Sequence, residues 1–78
     1  MGRRRGSPRI LNQEPEAVTY AREQAGLTKT EVARACGVSL SLISEIEKGT
    51  RNATPAMIVK LAHVLNCPRV VLLRKRDR

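Results

Sequence analysis

Leu27-Thr-Lys-Thr-Glu-Val-Ala-Arg-Ala-Cys-Gly-Val-Ser-Leu-Ser-Leu-Ile-Ser-Glu-Ile-Glu-Lys-Gly49 is the stretch that decides how this chain folds. Thr28 reads as a helix cap, and Glu31, three residues on, completes a capping box. Val32, Ala33 and Cys36 form the inner face of this helix, and Gly37 ends it. Ser39 caps the next helix, which runs from Leu40 to about Lys48. Ile43 and Ile46 point inward, while Ser41, Ser44 and Glu45 point out. Gly49 closes the second helix. Two short helices joined at a glycine pack at a steep angle and leave one face of the second helix free.

Working outward, Pro15 stands where a first helix begins, with Glu14 and Glu16 at its positive end. Val18, Ala21, Arg22 and Ala25 fall on one face, and Gly26 ends the helix as a left-handed residue. Tyr20 is expected at the edge of the core. Beyond Gly49, residues 50–53 read as a polar loop. Thr54-Pro55 then opens a fourth helix whose Ile58, Leu61, Ala62 and Leu65 share a face, with Asn66 as its C-cap. Pro68 opens a short fifth helix, Arg69 to about Leu73. The spacing predicts an all-α, compact five-helix domain over residues 12–73. A flexible basic arm (1–11) precedes it and a basic tail (74–78) follows.

Composition agrees with helices. There is no Trp or Phe and one Tyr among 78 residues, so the core is built from Leu, Ile, Val, Ala and Met. A chain this short buries only roughly 60% of its unfolded surface and is marginal alone. Cys36 and Cys67 lack the neighbours of a metal motif and read as plain buried thiols, with a disulfide between them as the alternative. His63 stands alone beside an apolar stripe and reads as a surface side chain. No run is long enough to cross a membrane, and no apolar leader follows the first arginines. No Cys/His pair, carboxylate dyad or phosphate-binding glycine loop suggests an enzyme, and no cofactor, metal or small-molecule ligand is implied.

The net charge is +8, and it is clustered. Arg3, Arg4, Arg5 and Arg9 load the start. Arg69, Arg74, Lys75, Arg76 and Arg78 load the end against Asp77. The middle holds equal numbers of basic and acidic residues. Basic clusters of this kind suit a polyanion.

Ala33, Gly37, Val38, Ser39, Ile43, Ile46, Glu47 and Gly49 together resemble the helix-turn-helix family of lambda-type phage repressors and Cro, the XRE family. The resemblance covers about residues 16–73. Ala33 stays small where the helices approach, and Gly37 permits a positive φ at the turn. The resemblance implies a lambda repressor-like fold in which helices 2 and 3 form the helix-turn-helix and helix 3 enters the major groove. By position, Leu40, Ser41, Ser44 and Glu45 would face the bases. Many members carry Gln at the first two of these positions, which binds adenine bidentately; this chain has Leu40 and Ser41. Leu40 suits a thymine methyl, Ser41 a permissive hydrogen bond, and Glu45 a cytosine amino group. Glu45 alternatively pairs with Lys48 or Arg51. Thr28, Lys29, Ser39, Lys48, Thr50, Arg51 and Asn52 would reach phosphates, which position the domain without reading sequence. Arg22 and Glu47 match positions that form a partly buried ion pair between the first and third helices in related repressors.

The expectation is therefore a sequence-specific, cytoplasmic transcriptional regulator of bacterial or phage type, a repressor bound to double-stranded DNA. Two-fold dimers of the family read half-sites about 34 Å apart. Val70, Val71 and Leu73 are surplus apolar side chains for a second copy, since a short helix cannot bury four in a row within one small domain. The arm residues Arg3, Arg4, Arg5 and Arg9 suit a minor groove or non-specific counterion release. Two alternatives stay open. One is a protein-interaction module of antitoxin or coactivator type with a protein partner, which Leu40 on the reading face favours slightly. The other is a non-specific DNA binder.

Overall fold

Helices in this chain begin where a side chain or a proline satisfies the helix end, and the first four stop at or just before a left-handed residue. The computed structural model describes residues 11–74. Five helices follow in order: α1 (Pro15–Gln24), α2 (Lys29–Cys36), α3 (Leu40–Lys48), α4 (Pro55–Leu65) and α5 (Arg69–Leu72). Thr28 Oγ1 accepts the Glu31 N–H at 3.0 Å, and Glu31 Oε1 accepts the Thr28 N–H at 2.8 Å, forming the capping box of α2. Ser39 and Thr54 cap α3 and α4 through the N–H groups of Leu42 and Met57. Gly37 has φ +73°, which allows α3 to start soon after α2 ends. Asn66, at φ 55°, performs the same service after α4.

The inner faces converge on one core. Val18, Val32, Ile43, Ile46, Ile58, Leu61 and Leu72 are each at most 2% exposed. Ala33, buried where α2 meets α3, lets the two backbones approach. α1 lies against α3 and α5, and α4 lies against α2 and α5. α3 is therefore clamped by α1 and α2.

Three expectations about burial differ from the structure. Tyr20 is 62% exposed rather than at the core edge, because α5 ends after one turn and leaves that side of α1 uncovered. Ala25 is exposed, since it is the C-cap of α1 and the chain turns away there. Cys67 is only half-buried, whereas Cys36 is buried. Both are free thiols, and burial pushes both up from the ordinary thiol range, with Lys60 pulling Cys36 the other way. α5 also stops at Leu72, one residue short, and Leu73 returns to extended backbone.

Leu73 then pairs antiparallel with Gln13 in an isolated bridge. Of the basic arm and tail, only Leu11 and Arg74 fall among the described residues; Arg3, Arg4, Arg5, Arg9 and residues 75–78 lie outside them. Leu11 is half-buried, packed near Gly49: a Cβ added there would lie 3.6 Å from Leu11 Cδ1 and 3.1 Å from Pro15 Cγ.

Candidate nucleic-acid interface

The free face of α3 exists because two isoleucines hold the opposite face. Ile43 and Ile46 are 1% and 0% exposed, and with them inside, Leu40 and Ser41 stand outside, Leu40 at 47%. Ser44 and Glu45 are half-buried along the same helix. Leu40 is the large apolar side chain on this surface, and water is its neighbour in the isolated domain.

α3 is fixed in direction by a charged clamp from α1. Arg22 Nε donates to Glu47 Oε2 at 2.7 Å and Nη2 donates to Oε1 at 3.2 Å. Nη1 donates to the Leu27 carbonyl at 2.9 Å, and Thr19 Oγ1 donates to Glu47 Oε1 at 2.9 Å. The two charged side chains are 13% and 5% exposed. The hydrogen bond to Glu47 raises the Arg22 pKa above its ordinary value, against the opposing effect of burial. A bidentate fork of this kind fixes angle as well as distance, so it sets how α3 projects.

The groups expected at phosphates lie at the starts of α2 and α3 and at and after the end of α3. At α2, the capping box uses the N–H groups of Thr28 and Glu31, leaving those of Lys29 and Thr30 without a partner among the described residues. Open N–H groups at a helix start attract anions, and Lys29 stands there. The hydroxyls of Thr28 and Ser39 accept capping bonds, which leaves each O–H proton to donate elsewhere. Beyond α3, Lys48 is exposed. Arg51 pairs with Glu45 at 2.9 Å, with side chains 57% and 39% exposed. That pair neutralises the carboxylate most able to repel a phosphate; surface pairs of this type are weak and open readily. Thr50 Oγ1 donates to the Glu45 carbonyl at 3.4 Å. Asn52 Oδ1 accepts the Asn12 N–H at 2.7 Å, so its oxygen is committed and its amide N–H₂ remains.

Asn12 and Gln13 position the loop after α3, and sequence reasoning missed them. Gln13 is 0% exposed. Its Nε2 donates to the carbonyls of Ile46 at 3.0 Å and Arg51 at 2.8 Å, and its Oε1 accepts the Ala53 N–H at 3.0 Å. Asn12 Nδ2 donates to the Ala53 carbonyl at 2.8 Å. This strap holds the C-terminal end of α3 and the loop that carries Thr50, Arg51 and Asn52. Its partners lie 33 to 41 positions away, so no local pattern marks it.

A separate apolar surface lies where α1 meets α5. Tyr20, Val70, Val71 and Leu73 are 62%, 72%, 44% and 39% exposed. With Glu14, Glu16 and Ala17 they line one shallow groove. Leu72, in the same run, is fully buried. Among the described residues, no cluster of His, Cys, Asp and Glu could hold a metal ion, and no helix is long and apolar enough to cross a membrane.

The geometry has counterparts among known proteins. A family model described as helix-turn-helix (HTH_3) matches residues 18–72. The clp gene regulator ClgR from C. glutamicum is 27% identical, with a TM-score of 0.69 over 72% of this chain and 73% of its own. The restriction-modification controller protein C.AhdI from Aeromonas hydrophila is 26% identical, with a TM-score of 0.70 over 73% of this chain and 86% of its own. SinR, the master regulator for biofilm formation, solved in complex with DNA, shares the fold at 24% identity and a TM-score of 0.70, over 74% of this chain and 97% of its own. No curated protein sequence matches the chain.

Proposed function

This chain is a member of the helix-turn-helix family with a lambda repressor-like fold, and we propose that it is a DNA-binding transcriptional regulator that acts as a repressor. α3 lies in the major groove of double-stranded DNA. Leu40 and Ser41 meet base edges first, and Ser44 and Glu45 follow along the helix. Lys29, with the open N–H groups of α2, and Lys48, Thr50, Arg51 and Asn52 hold phosphates on either side. Thr28 and Ser39 add hydroxyl donors at the two helix starts. The observation that carries this reading is the pairing of an exposed α3 face with a rigid rear attachment, through Ile43, Ile46 and the Arg22–Glu47 fork. The protein works in the cytoplasm, where an occupied operator excludes polymerase.

The base-reading groups are few and permissive. Sequence preference is modest and affinity is strongly electrostatic, because binding to phosphates releases counterions. Selection from random oligonucleotides with the purified chain, repeated at two salt concentrations, tests the function. A recovered motif a few base pairs long is expected. Lys48→Ala then weakens binding about equally on every sequence and lowers the salt slope by about 1, whereas Ser41→Ala relaxes preference at one base position. Failure to enrich any motif, with equal affinity for random DNA, points to the non-specific binder. Absence of DNA binding together with tight binding of a protein through Leu40 points to the interaction module.

One short helix reads too few bases for useful selectivity, so two copies share the task. We place the contact on Val70, Val71 and Leu73, with Tyr20 beside them. A charge there faces a desolvated apolar surface in the pair and water in the single domain. Val70→Asp is expected to leave the melting temperature of the isolated domain unchanged and to convert cooperative two-copy occupancy of a palindromic site into stepwise single-copy binding. Sedimentation and gel-shift stoichiometry report it; unchanged cooperativity removes this surface from the dimer.

A further inference from the structure

We propose that Arg51 is a positioning residue for base reading: its guanidinium bridges a DNA phosphate to Glu45, so that Glu45 enters the major groove as a neutralised carboxylate and accepts the amino group of a cytosine. The proposal deepens the DNA-binding function above and rests on it. Its structural basis is the way the chain folds back after α3. Gly49, at φ +84°, turns the backbone, and the N–H groups of Gly49 and Thr50 both donate to the Glu45 carbonyl at 3.0 Å. This turn brings Arg51 alongside Glu45. Arg51 Nε donates to Glu45 Oε1 at 2.9 Å, and Nη2 lies 2.9 Å from the same oxygen. Lys48 stands one turn beyond Glu45 on the same helix, yet it forms no ion pair among the described residues.

Both members of the pair have a fixed root. The Arg51 carbonyl accepts from Gln13 Nε2 at 2.8 Å, and the neighbouring Asn52 accepts the Asn12 N–H at 2.7 Å. Glu45 stands one helical turn after Ser41, so the two share a face of α3. The pairing also leaves polar edges unspent. Both guanidinium nitrogens meet Oε1, and Glu45 Oε2 has no hydrogen-bond partner among the described residues. Arg51 Nη1 has none either, so the outer edge of the guanidinium is free to donate. The side chains are 57% and 39% exposed, which places the pair at the surface rather than in the core.

A bare carboxylate is repelled by the phosphates that line the groove, and Arg51 removes that obstacle. Its guanidinium stays protonated, so the pair carries no net charge. A guanidinium that gives one edge to a carboxylate and the other to a phosphate holds two anions close without placing them in contact. In open water such a pair is weak. Between protein and DNA, where water is displaced, the attraction grows as the local dielectric falls. The free lone pairs of Glu45 then select among bases. Guanine and thymine present acceptors in the major groove, which repel a carboxylate. Adenine sets its amino group beside the N7 acceptor, whereas cytosine presents an amino donor with no acceptor on the same base. Pairing with Arg51 and reading a base are therefore one arrangement of Glu45, not competing ones.

The test measures affinity, by fluorescence anisotropy, for the duplex recovered by selection and for duplexes in which each C·G pair is replaced in turn by T·A. One such replacement is expected to weaken binding of the parent by about 10-fold, the usual scale for one mismatched pair. Glu45→Ala abolishes discrimination at that pair and keeps it elsewhere. Arg51→Ala lowers affinity on every duplex and also cuts discrimination at that same pair several-fold. In the Glu45→Ala background, Arg51→Ala costs less, because no unpaired carboxylate is left in the groove. Arg51→Lys, which keeps the charge without the fork, falls between. Discrimination is a ratio within one protein, so a change in folded fraction does not alter it. If Arg51→Ala leaves discrimination intact, Arg51 is a phosphate contact alone; if Glu45→Ala leaves it intact, Glu45 does not read a base. Either result overturns the proposal while the DNA-binding function stands. A parent that binds all duplexes equally also overturns it and leaves a non-specific DNA binder, and a parent that binds no duplex removes both.

Discussion

Arg22→Met is expected to lower the stability of the domain by about 3–5 kcal/mol, the usual cost of removing one partner of a buried ion pair. Glu47 is 5% exposed and would keep only the Thr19 hydroxyl, at 2.9 Å, as a side-chain donor. The Leu27 carbonyl, which joins α1 to the start of α2, would lose its guanidinium donor as well. Domains of this size hold about 5–15 kcal/mol in total, and 1 kcal/mol shifts the melting temperature by roughly 4–8 °C. A fall of roughly 12–40 °C is therefore expected in a thermal melt followed by circular dichroism. Arg22→Met combined with Glu47→Leu recovers most of the loss, because a well-packed apolar pair is often as stable as a buried ionic one. Arg22→Lys falls between, since an ammonium cannot make the fork. The Arg22 pKa is raised in the folded state, chiefly by the hydrogen bond to Glu47. Its contribution is thus complete below the ordinary arginine value and is lost only as pH rises through the raised one, so this ionisation adds no pH dependence across the neutral and mildly alkaline range. A single variant that melts within a few degrees of the parent would show that the clamp is dispensable.

Gln13→Leu is expected to cost about 2–4 kcal/mol, although the two side chains are similar in size. The amide serves three backbone groups, and leucine serves none. An unpaired buried donor or acceptor costs about 1–3 kcal/mol. The Ile46 carbonyl keeps a hydrogen bond from the Gly49 N–H at 3.3 Å, so the main losses fall on the Arg51 carbonyl and the Ala53 N–H. The effect should be local as well as global. Hydrogen exchange at the Ala53 amide is expected to rise towards that of an open amide, and, with residues 50–52 holding phosphates as proposed, DNA affinity is expected to fall as that loop loosens. Gln13→Glu separates hydrogen bonding from shape. The introduced carboxyl can still accept from Ala53, but it can donate to only one of the two carbonyls, and only when protonated. Its folded pKa therefore lies above its unfolded one, so the variant approaches the parent in acid and loses stability as pH rises through that raised value. A deficit relative to the parent that grows on acidification would contradict the strap geometry.

The helix boundaries follow from chemistry within four residues of each end. Thr28 with Glu31, Ser39, Thr54-Pro55, Gly37 and Asn66 each satisfy or release a helix terminus, and each does so in the structure. The inward pair Ile43 and Ile46 is legible for the same reason, since helical periodicity fixes which side chains share a face. Family resemblance added the Arg22–Glu47 position, which periodicity alone does not supply. Tyr20 shows the limit of a helical wheel: its spacing beside Ala21 suits a core edge, yet whether anything covers it depends on the length of α5.

Local sequence was thus sufficient for the five helices, the tight turn and the free face of α3, because capping and periodicity act over one or two turns. It could not place residues 11–13 or pair residues 12–14 with residues 72–74. Gln13 is an ordinary polar residue until folding brings Ile46, Arg51 and Ala53 around it, and Asn12 meets Arg74 only once every helix between them is packed. The same assembly commits Asn52 to the strap and Arg51 to Glu45. The number of basic residues was written in the chain; the pairing of residues 12–14 with residues 72–74 required the tertiary fold, since only packing converts distance along a sequence into proximity in space.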